Sequence, residues 1–139
     1  MNATTGKSVI MERDLPHPPE KVWRALTQDK LLEQWLMKND FEPTAGRRFA
    51  FRAAPMPKWD GVIACEVLEV EPLVRLSYRW ESLGLKTVVT WTLTATNGGT
   101  HLRMEQSGFP SEEGAFYKGA IWGWQGFIGK LEQLVATLN

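Results

Sequence analysis

Cys65 is the one thiol of the chain, and His17 and His101 are its only imidazoles. A nucleophilic cysteine needs a base within reach and a lowered pKa. His101 alternates with Leu102 and points to the outer face of its strand, while His17 sits in the proline-rich turn LPHPP as a solvated turn residue. Neither serves as that base. Asp60, Glu66 and Glu69 supply carboxylates, but at no spacing that defines an acid/base pair. A single cysteine forms no internal disulfide, and two histidines make no metal-ligand cluster. The chemistry left is recognition. Tyr78 and Gln106 each put a polar group on an apolar strand face. Buried polar groups need partners, so these two either orient the polar end of a bound molecule or bond each other, water or backbone.

Aromatic surface is the resource to explain, because seven tryptophans in 139 residues exceed what one small core needs for volume. That length fits a single domain, 1–139. Sixteen basic and sixteen acidic residues cancel, with no run of like charge, so no nucleic-acid partner is expected. The segment MNATTGKSVIMERD has no apolar h-region, and no stretch nears the roughly 18 apolar residues of a membrane span. The expectation is a cytoplasmic protein without cofactor or metal.

These residues must be held by a recognisable order of elements. Ser8 to Arg13 reads as a strand, and Pro19 opens a helix over PEKVWRALT with Val22, Trp23 and Leu26 at helical spacing. A second helix over DKLLEQWLM follows, with Asp29 as N-cap and Leu31, Leu32, Trp35 and Leu36 apolar. From Phe41 to Gly108 the period becomes two, broken at TAG, PMPKWDG, EPL, ESLGL and TNGG, which reads as an antiparallel meander. Val74, Leu76, Tyr78 and Trp80 share one face; Val89, Trp91 and Leu93, then Leu102, Met104 and Gln106, continue it. Phe49 and Phe51 face the same way, and a bulge near Leu68 reconciles the two parities of GVIACEVLEVE.

The chain closes on a long amphipathic helix capped by Ser111, with Glu112 and Glu113 suited to its dipole. Phe116, Ala120, Trp124, Phe127, Leu131, Leu134 and Leu138 form its inward stripe, and Trp122 lies on the exposed side. Gly119, Gly123 and Gly126 make a shoulder that suits close approach of another backbone.

LPHPPEKVWRALTQDKLLEQW and the pair QSGF and GWQGFIGKLEQL resemble two end motifs of the activator of Hsp90 ATPase homologue 1-like (AHSA1) family. The likeness covers essentially the whole chain. It implies the α+β helix-grip fold of the START/Bet v 1-like (SRPBCC) superfamily: a curved antiparallel sheet wrapped around a long C-terminal helix, with two short helices after strand 1. Gln106 stands where that pattern often has histidine, which removes a titratable group, and Ile128 stands where leucine is common.

Within that fold the concave sheet face and the final helix enclose a cavity. Its candidate lining is Phe49, Phe51, Cys65, Leu76, Tyr78 and Trp80, with Trp91, Met104, Gln106, Phe116, Ala120 and Trp124 beside them and Trp35 and Met37 near the mouth. Each of these also suits plain core packing. PMPKWDG is a connecting loop or a cavity rim tipped by Trp59. The leading reading is a protein that binds an apolar or aromatic, lipid-like small molecule. One alternative is an Hsp90 co-chaperone-like or stress-response interaction domain, with Trp122 as a partner or homodimer contact. Another is a cyclase- or hydrolase-like enzyme on an apolar substrate, by fold analogy.

Overall fold

The computed structural model describes residues 7–139, so residues 1–6, the start of the segment MNATTGKSVIMERD, lie outside it. Strand β1 (Lys7–Leu15) leads through the proline turn into α1 (Pro19–Thr27) and α2 (Asp29–Trp35). Pro19 occupies the first turn of α1, where its missing N–H and fixed φ cost nothing. Asp29 is the first helical residue of α2 and Gln28 the cap; the Asp29 carboxylate accepts the Lys30 N–H at 2.9 Å. The sequence expectation of an Asp29 cap is corrected by one position.

The meander follows as β2 (Lys38–Asn39), β3 (Arg48–Arg52), β4 (Val62–Glu71), β5 (Arg75–Ser82), β6 (Leu85–Thr96) and β7 (Gly99–Phe109). All pairings are antiparallel, in the order β1-β7-β6-β5-β4-β3-β2. The register of β4 against β5 shifts between Val67 and Glu69, so the bulge falls at Leu68 as the change of parity requires. Leu76, Tyr78, Val89, Trp91, Leu93, Leu102 and Met104 are buried on the concave face. Val74 leaves that face: it precedes β5 and is exposed. Gly61, at φ +82, closes the β3–β4 loop where any Cβ would sit 2.2 Å from the Ala53 carbonyl oxygen.

The last element, α3 (Ala115–Thr137), starts after a Gly114 cap. Ser111 caps a turn before the helix instead, its Oγ accepting the Glu113 N–H at 3.0 Å. The buried stripe of α3 is Trp124, Ile128, Leu131 and Val135. It is rotated from the expected one, and Phe116 is exposed. The physical reason is the seat of the helix: its close backbone neighbours are β1, α1 and α2, and Arg13 of β1 pairs with Glu132 at 3.4 Å. A curved antiparallel sheet gripping one long helix is the helix-grip arrangement. No helix among the described residues is long and apolar enough to cross a membrane.

Candidate functional site

Because α3 seats on one edge of the sheet, its amino-terminal half stands away from the strands. Side chains alone span part of the gap: the rings of Trp80 and Trp91 approach Trp124 at 5.4 and 5.6 Å between centroids. What remains open is a cavity of about 750 Å³. Trp80, Ser82 and Leu85 of the sheet form one wall, and Ala120, Trp124 and Phe127 of α3 form the other. Leu36 and Met37 close one side after α2. Met56 and Trp59 come from the β3–β4 loop, Leu83 from the β5–β6 turn, and Phe116 and Trp122 from α3. These last residues make the mouth, where Met56, Leu83, Phe116 and Trp122 are 62%, 57%, 47% and 79% exposed.

Two glycines form part of the α3 wall. A Cβ built on Gly119 meets nothing within 4 Å, and one on Gly123 meets only a Phe127 ring carbon at 3.9 Å. Gly126 and Gly129 also face open space. The expected backbone crossing at this shoulder is therefore corrected: no backbone approaches it.

Gln106 is the polar centre. Trp124 Nε1 donates to Gln106 Oε1 at 2.8 Å, Gln106 Nε2 donates to Thr87 Oγ1 at 2.9 Å, and Thr87 Oγ1 donates to the Trp80 carbonyl at 2.9 Å. Indole only donates, so this orientation of the amide is forced. Glutamine meets a donor and an acceptor at once without titrating. Tyr78 is satisfied separately, accepting from Trp91 Nε1 at 2.9 Å, and burial pushes its phenol pKa up. The partners of both polar groups are tryptophans, which strand alternation alone does not reveal.

Met37, Trp80, Gln106, Phe116, Ala120 and Trp124 thus stand on the cavity wall. Trp35, Phe49, Phe51, Cys65, Leu76, Tyr78, Trp91 and Met104 lie in the packed core beside it. Phe41 packs on two of them, its ring 5.0 Å from Phe49 and 6.3 Å from Tyr78, while Trp35 lies edge-on to Trp91 at 5.7 Å. Trp35 is itself held by α1, donating to the Ala25 carbonyl at 2.8 Å. Ile63, Phe109 and Ala115 join the wall with no signal in the sequence beyond their apolar character.

No titratable side chain lines this cavity. Cys65 is a buried thiol whose pKa is raised chiefly by desolvation, the opposite of nucleophile activation. His101 lies on the outer face between Asp14 and Glu12, both at 2.8 Å, and these carboxylates raise its pKa. Among the described residues no group of three or more His, Cys, Asp or Glu is placed to hold a metal.

Comparison with known proteins extends this picture. No curated protein matches the chain. Protein MLL2253 from Mesorhizobium loti, known from a crystal structure, is 52% identical, with 96% of this chain and 99% of that chain covered and a TM-score of 0.89. DynU16, a protein in the dynemicin biosynthetic locus, is 29% identical over 94% of this chain and 47% of its own, with a TM-score of 0.80. The Aha1 dimer from Colwellia psychrerythraea shares the fold at 19% identity, 93% and 96% coverage and a TM-score of 0.80. A family model described as Activator of Hsp90 ATPase homolog 1-like protein matches residues 16–136, and the chain belongs to that family.

Proposed function

We propose that the protein binds an apolar or aromatic small molecule in the cavity between the sheet and the amino-terminal half of α3. One observation carries this reading: about 750 Å³ of apolar-walled space is kept open beside Gly119 and Gly123. Glycine inside a helix costs about 1 kcal/mol against alanine. No packing requirement at these two positions offsets that cost, since a methyl group would fit at either. The volume matches that of small-molecule sites, and Gln106 and Ser82 supply polar side chains in an otherwise apolar wall. Binding is favoured over acid/base turnover because the wall carries no titratable group.

Native mass spectrometry of the protein purified from its own host, compared with the denatured chain, tests this directly. The expected result is a mass excess that disappears on denaturation. An apo mass, together with no thermal stabilisation across a library of apolar and aromatic compounds, would sink the reading, because a ligand at 100 times its Kd adds about 2.7 kcal/mol.

Trp122 motivates a second reading, a contact with a protein partner or a second copy, since its 79% exposed indole stands with exposed Met56, Leu83 and Phe116 at the mouth, and exposed apolar patches mark contacts. Sedimentation of the wild type and Trp122→Ser addresses it. A monomer in both, together with no calorimetric binding of the cognate Hsp90 at micromolar concentrations, argues against it.

A further inference from the structure

A second hollow, of about 530 Å³, adjoins the apolar cavity: Trp59, Ser82, Leu83 and Leu85 line both. It opens on the other face of the sheet end, because Glu81 and Lys86 alternate with the inward Trp80 and Leu85. Its chemistry is different. Lys58, Asp60, Glu81 and Lys86 surround it, whereas no charged side chain lines the larger cavity. Glu81 and Lys86 are direct cross-strand neighbours. Yet none of the four charges has an ion-pair partner within 4.0 Å among the described residues. Asp60 does accept the Val62 N–H at 3.0 Å. Two cations and two anions around one hollow suit a group that carries both signs.

The partition between the hollows is weakly held. Trp59 Nε1 is buried with no hydrogen-bond partner, so no bond fixes the indole in place, and turning it outward relieves an unsatisfied donor. On either side of the passage, Lys58 and Leu83 sit in the left-handed region at φ 69° and 53°.

We propose that the ligand is a single-chain amphiphile with a zwitterionic end. Its apolar body fills the cavity beside Trp80 and Trp124, and its polar end passes Trp59 and Leu83 to lie among Lys58, Asp60, Glu81 and Lys86. This rests on the cavity being a ligand site. The test is the ratio of Kd values for dodecan-1-ol, kept within its solubility, and dodecylphosphocholine, kept below micelle formation, followed by tryptophan fluorescence. For the wild type, dodecylphosphocholine should bind about tenfold tighter. In the double variant Glu81→Gln, Lys86→Gln that preference should fall to about twofold. Equal affinities in the wild type, or a preference that survives the double substitution, overturn the amphiphile and leave the cavity reading standing. Failure of both probes to bind overturns both.

Discussion

The two halves of α3 meet the rest of the protein under different rules. Residues 128–137 pack as a core helix does: Ile128, Leu131 and Val135 are buried, and Glu132 pairs with Arg13 of β1. Residues 115–127 bury one side chain fully, Trp124; Tyr117 is held half-buried, donating to the Ser8 carbonyl at 3.1 Å, while Phe116 and Trp122 are exposed and Gly119 has no neighbour within 4 Å of a built Cβ. Glycine and exposed aromatic surface both weaken a helix that merely fills a core. The difference teaches that one half supplies stability and the other gives stability up for an open cavity.

Truncation breaks the comparison most sharply. Leu131→Ala should destabilise by about 3 kcal/mol through the void it leaves, measured by urea unfolding. Phe116→Ala, at the exposed end of the same helix, should change stability by less than about 0.5 kcal/mol. Equal effects would erase the distinction. Next comes the junction of the halves: Trp124→Phe removes the donor to Gln106 Oε1 and should cost about 1–2 kcal/mol. Gly119→Ala should act in the opposite direction, stabilising by about 1 kcal/mol and raising Tm by about 4 °C, because the new methyl meets nothing.

The smallest effect lies outside α3, on the β1–β7 pair against which its packed half rests. The carboxylates of Asp14 and Glu12 raise the pKa of His101 above its ordinary value of 6.5. A raised folded-state pKa means the stabilisation is fully present below the unfolded value and is lost as pH rises through the folded one. An NMR titration of the His101 ring should give a midpoint above 6.5. Replacement by glutamine should flatten stability across that window.

Much of the scaffold was legible because it follows from periodicity. The helix over PEKVWRALT, the meander and the bulge at Leu68 all come from side chains that must alternate or repeat to reach one core. The site was legible in direction and not in depth. Alternation puts Phe49, Tyr78 and Trp91 on the concave face alongside Trp80, but it does not show that Phe41 and Trp35 pack on them while Trp80 stays at the cavity. The glycine shoulder misled for a related reason. Small residues suit close approach and open space equally, and only the seat of α3 on β1, α1 and α2 decides between them. Met56 and Leu83 belong to loop and turn, where no period marks a wall residue, and Trp59 was legible only as the apolar tip of a loop that could equally be a plain connection.

The central claim is that the glycine half of α3 keeps a ligand cavity open. Titration of the wild type and Gly123→Leu with N-phenyl-1-naphthylamine, a neutral fluorescent probe, tests it most directly when thermal melts are recorded on the same samples. The account expects saturable binding to the wild type, affinity at least about tenfold weaker in Gly123→Leu, and a Tm no lower than the wild type's, because leucine favours the helix and fills vacant space. Unchanged affinity in a folded Gly123→Leu, or no saturable binding to the wild type, would contradict it.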